Sequence, residues 1–325
     1  MEAPDQVEEA GTPSRPETGF EGSREKAGRS LTTAAILGFI IVAIVYFYAQ
    51  TIIGFLAVVI RGRAVGGTSN PHETLTQLLT ARALFTKPII LYSVILSQFV
   101  FLLLPTVWLI RRWHTKHVFI YVRFRKTHPG QILLALVGGI LFYPVSAGIG
   151  DFLMEELHFP DFLAKIGSLV FTSNTPSQLL LVIAVVCVTP AICEETLFRG
   201  YVQRTLERTM GPKSIIVAGI LFGLYHMRPL DLVSLSLFGM LIGYFVYRSK
   251  SLLPSMTAHF AYNLVAVLSL YRSSNGSSTT PLASLHIPLA IMLLSAAGTA
   301  VVVLIYRNVT KGNDQPEHAT VQYRP

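Results

Sequence analysis

The sequence predicts an all-α fold, a polytopic transmembrane helical bundle of about eight spans. The chain of 325 residues is 51% hydrophobic and only 14% charged, whereas soluble domains carry about 25% charged residues. Its apolar residues also form long runs without the alternation that strands show. Because a bilayer leaves no water to hydrogen-bond an exposed backbone, helices are the only reasonable structure for such runs.

Eight apolar runs are long enough, or nearly so, to cross roughly 30 Å of hydrocarbon. The first is too long and too far into the chain for a signal peptide, so we expect a retained span. The fifth is the shortest and is marginal as a span. The runs cover about 33–60, 88–110, 131–149, 178–200, 214–228, 231–248, 252–271 and 286–306.

Charges in the loops predict that both termini are cytoplasmic. The loop 111–130 holds six Lys or Arg residues, whereas 150–177 holds four Asp or Glu and one Lys. Excess basic residues mark cytoplasmic loops, so these two loops should face opposite sides. The loop 61–87 is the exception, because it carries four basic residues and must lie outside. We therefore expect an integral protein of the plasma (inner) membrane, with the lipid bilayer as its surroundings and no nucleic-acid partner despite the net charge of +8.

Three charges close the fourth run, and they are the first candidate site residues. Each costs a few kcal/mol inside a membrane, so the chain should supply partners for them. Glu195 and Arg199 are four residues apart and should pair on one helix face, whereas Glu194 is rotated by about 100° and can point into a cavity. Pro190 should kink the helix and free the carbonyl of Val186.

Two further polar motifs follow in apolar runs. Phe222 and His226 lie four residues apart in one run, and His259 and Asn263 lie four apart in another. A single His can be an ordinary interfacial residue, and a single polar residue in a span is often an interhelical hydrogen bond. The three motifs together, in this order and within about 70 residues, are a much stronger signal.

Carboxylate, imidazole and amide groups in a low-dielectric cavity fit hydrolysis of a peptide bond by water. Glu with His can deprotonate a water, either directly or through a bound metal, and His and Asn can stabilise an oxyanion. No H-E-x-x-H or G-x-S-x-G motif is present. Two alternatives remain open: a proton-coupled transporter with a buried relay, although no inverted repeat is visible, and a non-catalytic immunity or scaffold membrane protein.

The order E-E-x-x-x-R, F-x-x-x-H, H-x-x-x-N resembles the CPBP family of intramembrane proteases, the group that includes the eukaryotic CaaX prenyl endopeptidase and bacterial Abi or bacteriocin-processing relatives. The match covers roughly residues 178–271. It implies an intramembrane endopeptidase acting on a membrane-anchored or lipidated (CaaX-type) peptide or protein. It implies that Glu194 is the water-activating base and that His226 is its partner at the water or metal. Glu195, Arg199 and Phe222 are implied to be structural support. His259 and Asn263 are implied to lie on the oxyanion or metal side of the site.

The resemblance leaves the cofactor open. Members of the family have been described both as metalloproteases and as glutamate-dependent proteases. One implied mechanism has zinc held by Glu194, His226 and His259, since two His and a Glu form a catalytic zinc set with an open position. The other is a metal-free water activated by the glutamate.

The predicted topology contains one conflict. It places Glu194 and His259 near the cytoplasmic ends of their helices and His226 toward the outer end of the fifth, so a shared site needs a fifth helix that is tilted or begins deeper than Lys213.

The expected organisation has five segments. They are 1–30, a disordered cytoplasmic tail rich in Glu, Pro, Gly and Ser; 31–177, transmembrane and interfacial helices; 178–271, the catalytic helices; 272–306, the last loop and transmembrane helix; and 307–325, a cytoplasmic tail.

Overall fold

The predicted all-α membrane bundle is confirmed. The computed structural model describes residues 20–64, 88–158, 173, 175–275 and 287–313, and these residues form helices and no strand. In chain order the helices are α1 (Ser23–Lys26), α2 (Leu31–Ala64), α3 (Pro88–Trp113), α4 (Val118–Tyr121), α5 (Pro129–Glu156), α6 (Pro176–Met210), α7 (Lys213–Tyr225), α8 (Leu232–Ser249), α9 (Leu253–Asn275) and α10 (Leu289–Val309), with short 3-10 turns at Pro229–Asp231 and Lys311–Asn313.

Seven helices of the described chain are long and apolar enough to span a membrane, namely α2, α3, α5, α6, α8, α9 and α10. They correspond to seven of the eight predicted runs. The fifth run forms α7, which is apolar but has only 13 residues. At 1.5 Å per residue α7 is about 20 Å long, shorter than the roughly 30 Å of hydrocarbon that a full span crosses. About eight apolar helices is therefore the right count, and α7 is the incomplete one.

Three stretches of π-helix interrupt the described helices. One, Gln98–Leu103, lies in the middle of α3. The other two, Ile183–Val188 and Thr196–Gln203, lie in α6. A π-helical turn accommodates an extra residue and re-aims the side chains around it, and such turns are frequent at functional sites. The segment Thr189–Glu195, between the two π-helical stretches of α6, contains both adjacent glutamates.

Helices α7 and α8 form a hairpin whose backbones touch. A Cβ at Gly239 would lie 3.0 Å from the Cα of Gly219, and a Cβ at Gly223 would lie 2.7 Å from the carbonyl oxygen of Leu232. Glycine allows this close approach, since side chains there would force the two helices apart. After Gly223 the chain reverses through Met227, whose φ is +49°.

Residues 20–30 differ from the predicted disordered tail. The backbone N–H of Gly22 donates to the carbonyl of His114 at 2.6 Å, and the guanidinium of Arg24 lies 4.2 Å from the ring centre of Trp113. The segment is poor in apolar residues, which is why its composition indicates disorder, but its polar groups find partners on α3 and α6. The expected tail residues 1–19 and 314–325, and the predicted interfacial helices near Pro160, lie outside the described residues.

Candidate active site

Glu194 and Glu195 are adjacent residues in the middle of α6, and both are buried, with 5% and 0% of their surface exposed. Adjacent side chains on a helix point about 100° apart. The two carboxylates therefore meet different neighbours: Glu194 faces α3 and the end of α7, whereas Glu195 faces α9.

Glu195 accepts two charge-assisted hydrogen bonds on one oxygen. Arg199 Nη1 donates to Oε1 at 2.7 Å, and His259 Nδ1 lies 2.8 Å from the same atom. The Glu195–Arg199 pair predicted from their spacing is thus confirmed. Arg199 Nη2 also donates to the Gly239 carbonyl at 2.9 Å, and its guanidinium lies 4.5 Å from the centre of the Phe222 ring. These contacts compensate part of the cost of removing an ion pair from water.

The contact with Glu195 determines the tautomer of His259. An ionised carboxylate only accepts, so Nδ1 carries a hydrogen and Nε2 of the neutral ring has a lone pair. The ring is held edge-on between Phe222 and Phe238, with centroid distances of 5.6 and 5.9 Å. Nε2 is therefore the atom that His259 can present to another group, and it can donate only when the ring carries a second proton.

Glu194 has one satisfied oxygen and one free oxygen. Gln98 Nε2 donates to Oε1 at 3.2 Å, while Oε2 is buried without a hydrogen-bond partner among the described residues. The nearest recorded polar group to Oε2 is Nε2 of His226, at 3.9 Å. That distance is too long for a direct hydrogen bond and suits two groups that share one water.

His226 is held by its own helix. Its Nδ1 lies 2.8 Å from the carbonyl oxygen of Phe222, and because a carbonyl only accepts, Nδ1 carries the hydrogen. The neutral ring therefore presents the lone pair of Nε2 toward Glu194. The side chain is 22% exposed, more than that of Glu194, so Glu194 is the buried member of the pair and His226 is the accessible one.

The short α7 resolves the conflict in the predicted topology. Helix α6 ends at Met210 and α7 begins at Lys213, so these two helix ends lie at the same end of the bundle. Glu194 lies 16 residues before Met210, about 24 Å along the helix, and α7 ends after about 20 Å. His226 therefore reaches the level of Glu194 because α7 is short, and α7 need not begin deeper than Lys213.

Asn263 takes the carbonyl that Pro190 leaves free. Its Nδ2 donates to the backbone oxygen of Val186 at 2.7 Å, and Val186 lies four residues before Pro190. This contact ties α9 to α6 one turn beyond His259. The role of Asn263 at an oxyanion remains a prediction, as do the catalytic roles of Glu194, His226 and His259.

The implied zinc set does not fit this arrangement. No group of three His, Cys, Asp or Glu side chains in the described chain is placed to hold a metal ion. The contact of His259 Nδ1 with Glu195 leaves Nε2 available, so the misfit lies in the placement of the three side chains relative to one another. We therefore route no step of the reaction through a metal, and zinc remains a prediction for experiment to test.

Sequence reasoning missed the contribution of the N-terminal half. Gln98, the hydrogen-bond donor to Glu194, is the only amide in the apolar run 88–110, and that isolation was a usable signal. Tyr46 of α2 stacks on Tyr225, with ring centres 5.8 Å apart, and Tyr225 lies edge-on to the His226 ring at 5.6 Å. Aromatic residues are common in spans, so no sequence signal distinguished these two.

The part of the chain that carries the motifs is similar to a known protein family. Residues 176–265 match the Rce1-like family model, described as type II CAAX prenyl endopeptidase Rce1-like. A comparison with curated proteins found no match. The matched segment begins at the start of α6, ends in α9 and includes all seven motif residues. The resemblance to the CPBP family that the motifs predict is thus confirmed over residues 176–265, which are similar to the CAAX-type intramembrane proteases.

Proposed function

We propose that this protein hydrolyses a peptide bond of a membrane-anchored or lipidated, CaaX-type substrate, using a water activated by Glu194 and His226. One observation carries the proposal. Glu194 Oε2 is buried, has no hydrogen-bond partner among the described residues and lies 3.9 Å from His226 Nε2. A buried acceptor without a partner costs free energy, and this one lies opposite an imidazole nitrogen at a distance that one water can bridge.

In this mechanism the water lies between Glu194 Oε2 and His226 Nε2. Glu194 removes a proton, the oxygen attacks the carbonyl carbon of the substrate, and the oxyanion of the tetrahedral intermediate forms. When the C–N bond breaks, the proton passes from Glu194 to the leaving nitrogen. His259, with a second proton on Nε2, and Asn263, with its second amide N–H, are the proposed oxyanion donors.

Glu195 and Arg199 support the site without entering the chemistry. Arg199 neutralises Glu195 and binds the Gly239 carbonyl, and Glu195 orients His259. Because Glu195 is bonded to both Arg199 and His259, it is well placed to fix the His259 ring and poorly placed to accept a proton. This division explains why the motif needs two adjacent glutamates.

We further propose that the basic end of the bundle, where Arg123, Arg208 and Lys250 lie, faces the cytoplasm. Excess basic residues mark cytoplasmic loops, and the described part of the N-terminal region, residues 20–30, binds to α3 and α6 at this end. Both termini would then be cytoplasmic, in the plasma (inner) membrane.

The test is cleavage of an internally quenched, prenylated peptide ending in a CaaX sequence by the purified chain in detergent. We expect the wild type to cleave it and Glu194→Gln to lose about 10²- to 10⁴-fold in kcat, the contribution of a general base. The isosteric Glu207→Gln, on the same helix, is the matched control and should retain activity. The proposal is wrong if the wild type does not cleave the peptide or if Glu194→Gln cleaves it normally.

Two further arms define the substrate and the cofactor. The same peptide without its prenyl group should be cleaved poorly if the lipid anchor contributes to binding. A zinc chelator should leave the rate unchanged if the water is activated by Glu194 and His226 alone. Loss of activity in chelator, restored by added zinc, would contradict the metal-free mechanism and require a rearrangement of His259.

A further inference from the structure

The hydrogen bond from Gln98 to Glu194 crosses between the two halves of the molecule. Gln98 begins the π-helical turn of α3, lies outside the matched residues 176–265 and is only 4% exposed. A polar side chain buried in a span costs free energy unless it is hydrogen-bonded. Its Nε2 donates to Glu194 Oε1 at 3.2 Å, so the amide is buried with a specific partner.

This contact divides the two oxygens of Glu194 between two tasks. Because a carboxylate only accepts, the NH₂ group of Gln98 must face it. With Oε1 bonded to Gln98, the carboxylate is held in one rotation about its terminal torsion, which is otherwise broad. Oε2 is then the oxygen left facing His226.

Apart from Gln98, no residue of the described chain donates a hydrogen bond to Glu194 Oε1. Tyr46 and Tyr225 stack on each other with ring centres 5.8 Å apart, and in the described chain neither hydroxyl donates a hydrogen bond to Glu194. Arg199, the nearest guanidinium on α6, is engaged with Glu195. Removing the Gln98 amide would therefore leave Glu194 free to rotate.

We propose that Gln98 is a positioning residue, which orients the Glu194 carboxylate so that Oε2 meets the water shared with His226. The proposal rests on the proposed function above, because it assigns Gln98 a task in that reaction. The consequence is that the family motifs of α6, α7 and α9 are incomplete without α3.

The test uses the prenylated CaaX-type peptide and the full chain. Gln98→Met keeps an unbranched side chain of similar length but removes the donor. We expect kcat to fall about 10- to 100-fold, the cost of misplacing a catalytic group by about 1 Å, with KM within about twofold and an unchanged thermal unfolding midpoint. Gln98→Glu, which keeps the shape but replaces the donor with an acceptor, should also lose kcat.

Thr106→Val is the matched control. Thr106 is a fully buried polar residue on α3 that donates to the carbonyl of Leu102 rather than to a motif residue. Its loss should leave kcat and KM within about twofold of the wild type. The inference is overturned if Gln98→Met keeps the wild-type kcat, or if its kcat falls only together with the unfolding midpoint.

The outcome also separates this inference from the proposed function. If Glu194→Gln is inactive and Gln98→Met is fully active, only the role of Gln98 fails. If Glu194→Gln is itself active, the reaction does not use Glu194 as its base and both proposals fail.

Discussion

Glutamates in the middle of α6 and glutamates at the basic end of the bundle differ in how completely their carboxylates are hydrogen-bonded. At the basic end Glu207 has both oxygens bonded, to Arg123 at 2.7 and 2.9 Å and to Lys250 at 2.7 Å. Glu25 is bonded on both oxygens by Arg208 and on one by His114. In the middle of the helix, Glu194 and Glu195 each keep one buried oxygen that has no hydrogen-bond partner in the described part of the chain.

This difference separates carboxylates bonded on both oxygens from the two motif carboxylates, of which Glu194 has its unbonded oxygen 3.9 Å from His226 Nε2 and Glu195 is paired with Arg199. A carboxylate bonded on both oxygens to basic side chains is held in place by them, so its contribution is to stability. A buried carboxylate oxygen without a partner is costly in a membrane interior. Three predictions test this comparison through the free energy of unfolding and the rate of cleavage.

The largest expected effect on stability comes from Arg199→Met. This change leaves Glu195 charged and buried without its counter-ion, which costs about 3–5 kcal/mol of unfolding free energy. The measurement is thermal unfolding in detergent, followed by the fraction of protein that remains monodisperse. The double variant Glu195→Gln/Arg199→Met should recover part of the loss, because no uncompensated charge remains. Equal stability of Arg199→Met and the wild type would contradict the ion pair.

Glu207→Gln should give a smaller loss of stability and none of activity. It removes the charge from a carboxylate bonded to Arg123 and Lys250, and hydrogen bonds to charged groups contribute about 1.5–3 kcal/mol. We expect a lower unfolding midpoint with kcat within about twofold of the wild type at equal amounts of folded protein. A loss of kcat in a fully folded Glu207→Gln would break the comparison, since the basic end would then take part in the reaction.

The smallest effect is the pH dependence that Glu25 adds. Burial raises its pKa, but the hydrogen bonds from His114 and Arg208 outweigh this and hold the pKa below the ordinary value of 4.5. The stabilisation is therefore complete above pH 4.5 and disappears as the pH falls through the lowered pKa. The unfolding midpoint of the wild type should exceed that of Glu25→Gln by a constant amount from pH 5 to 7 and approach it below pH 4.5. A gap independent of pH would contradict this assignment.

Local spacing in the sequence predicted much of the site. The i to i+4 spacing of Glu195 and Arg199 gave their ion pair, and Pro190 identified the freed carbonyl of Val186. Neither depends on how the helices pack. The neighbouring helices of each glutamate do depend on packing, which is why the preference of His259 for Glu195 over Glu194 could not be read from the chain.

Contacts between distant segments were the main omission. Gln98 lies 96 residues before Glu194, and no periodicity relates two such positions. Residues 20–30 were interpreted from composition alone, which cannot show that Arg208 and His114 would bind Glu25. Both cases involve polar groups that are satisfied only by the assembled bundle.

In the proposed reaction, the length of α7 sets a minimum reach for a substrate that enters from the basic end. Measured along α7, Glu194 and His226 lie about 20 Å from the basic end of the bundle. An extended polypeptide advances about 3.3 Å per residue, so it covers this distance with about six residues. A peptide that enters from the basic end must extend at least that far beyond its point of anchorage, and the contact between Gly219 and Gly239 fixes α7 against α8 along that distance.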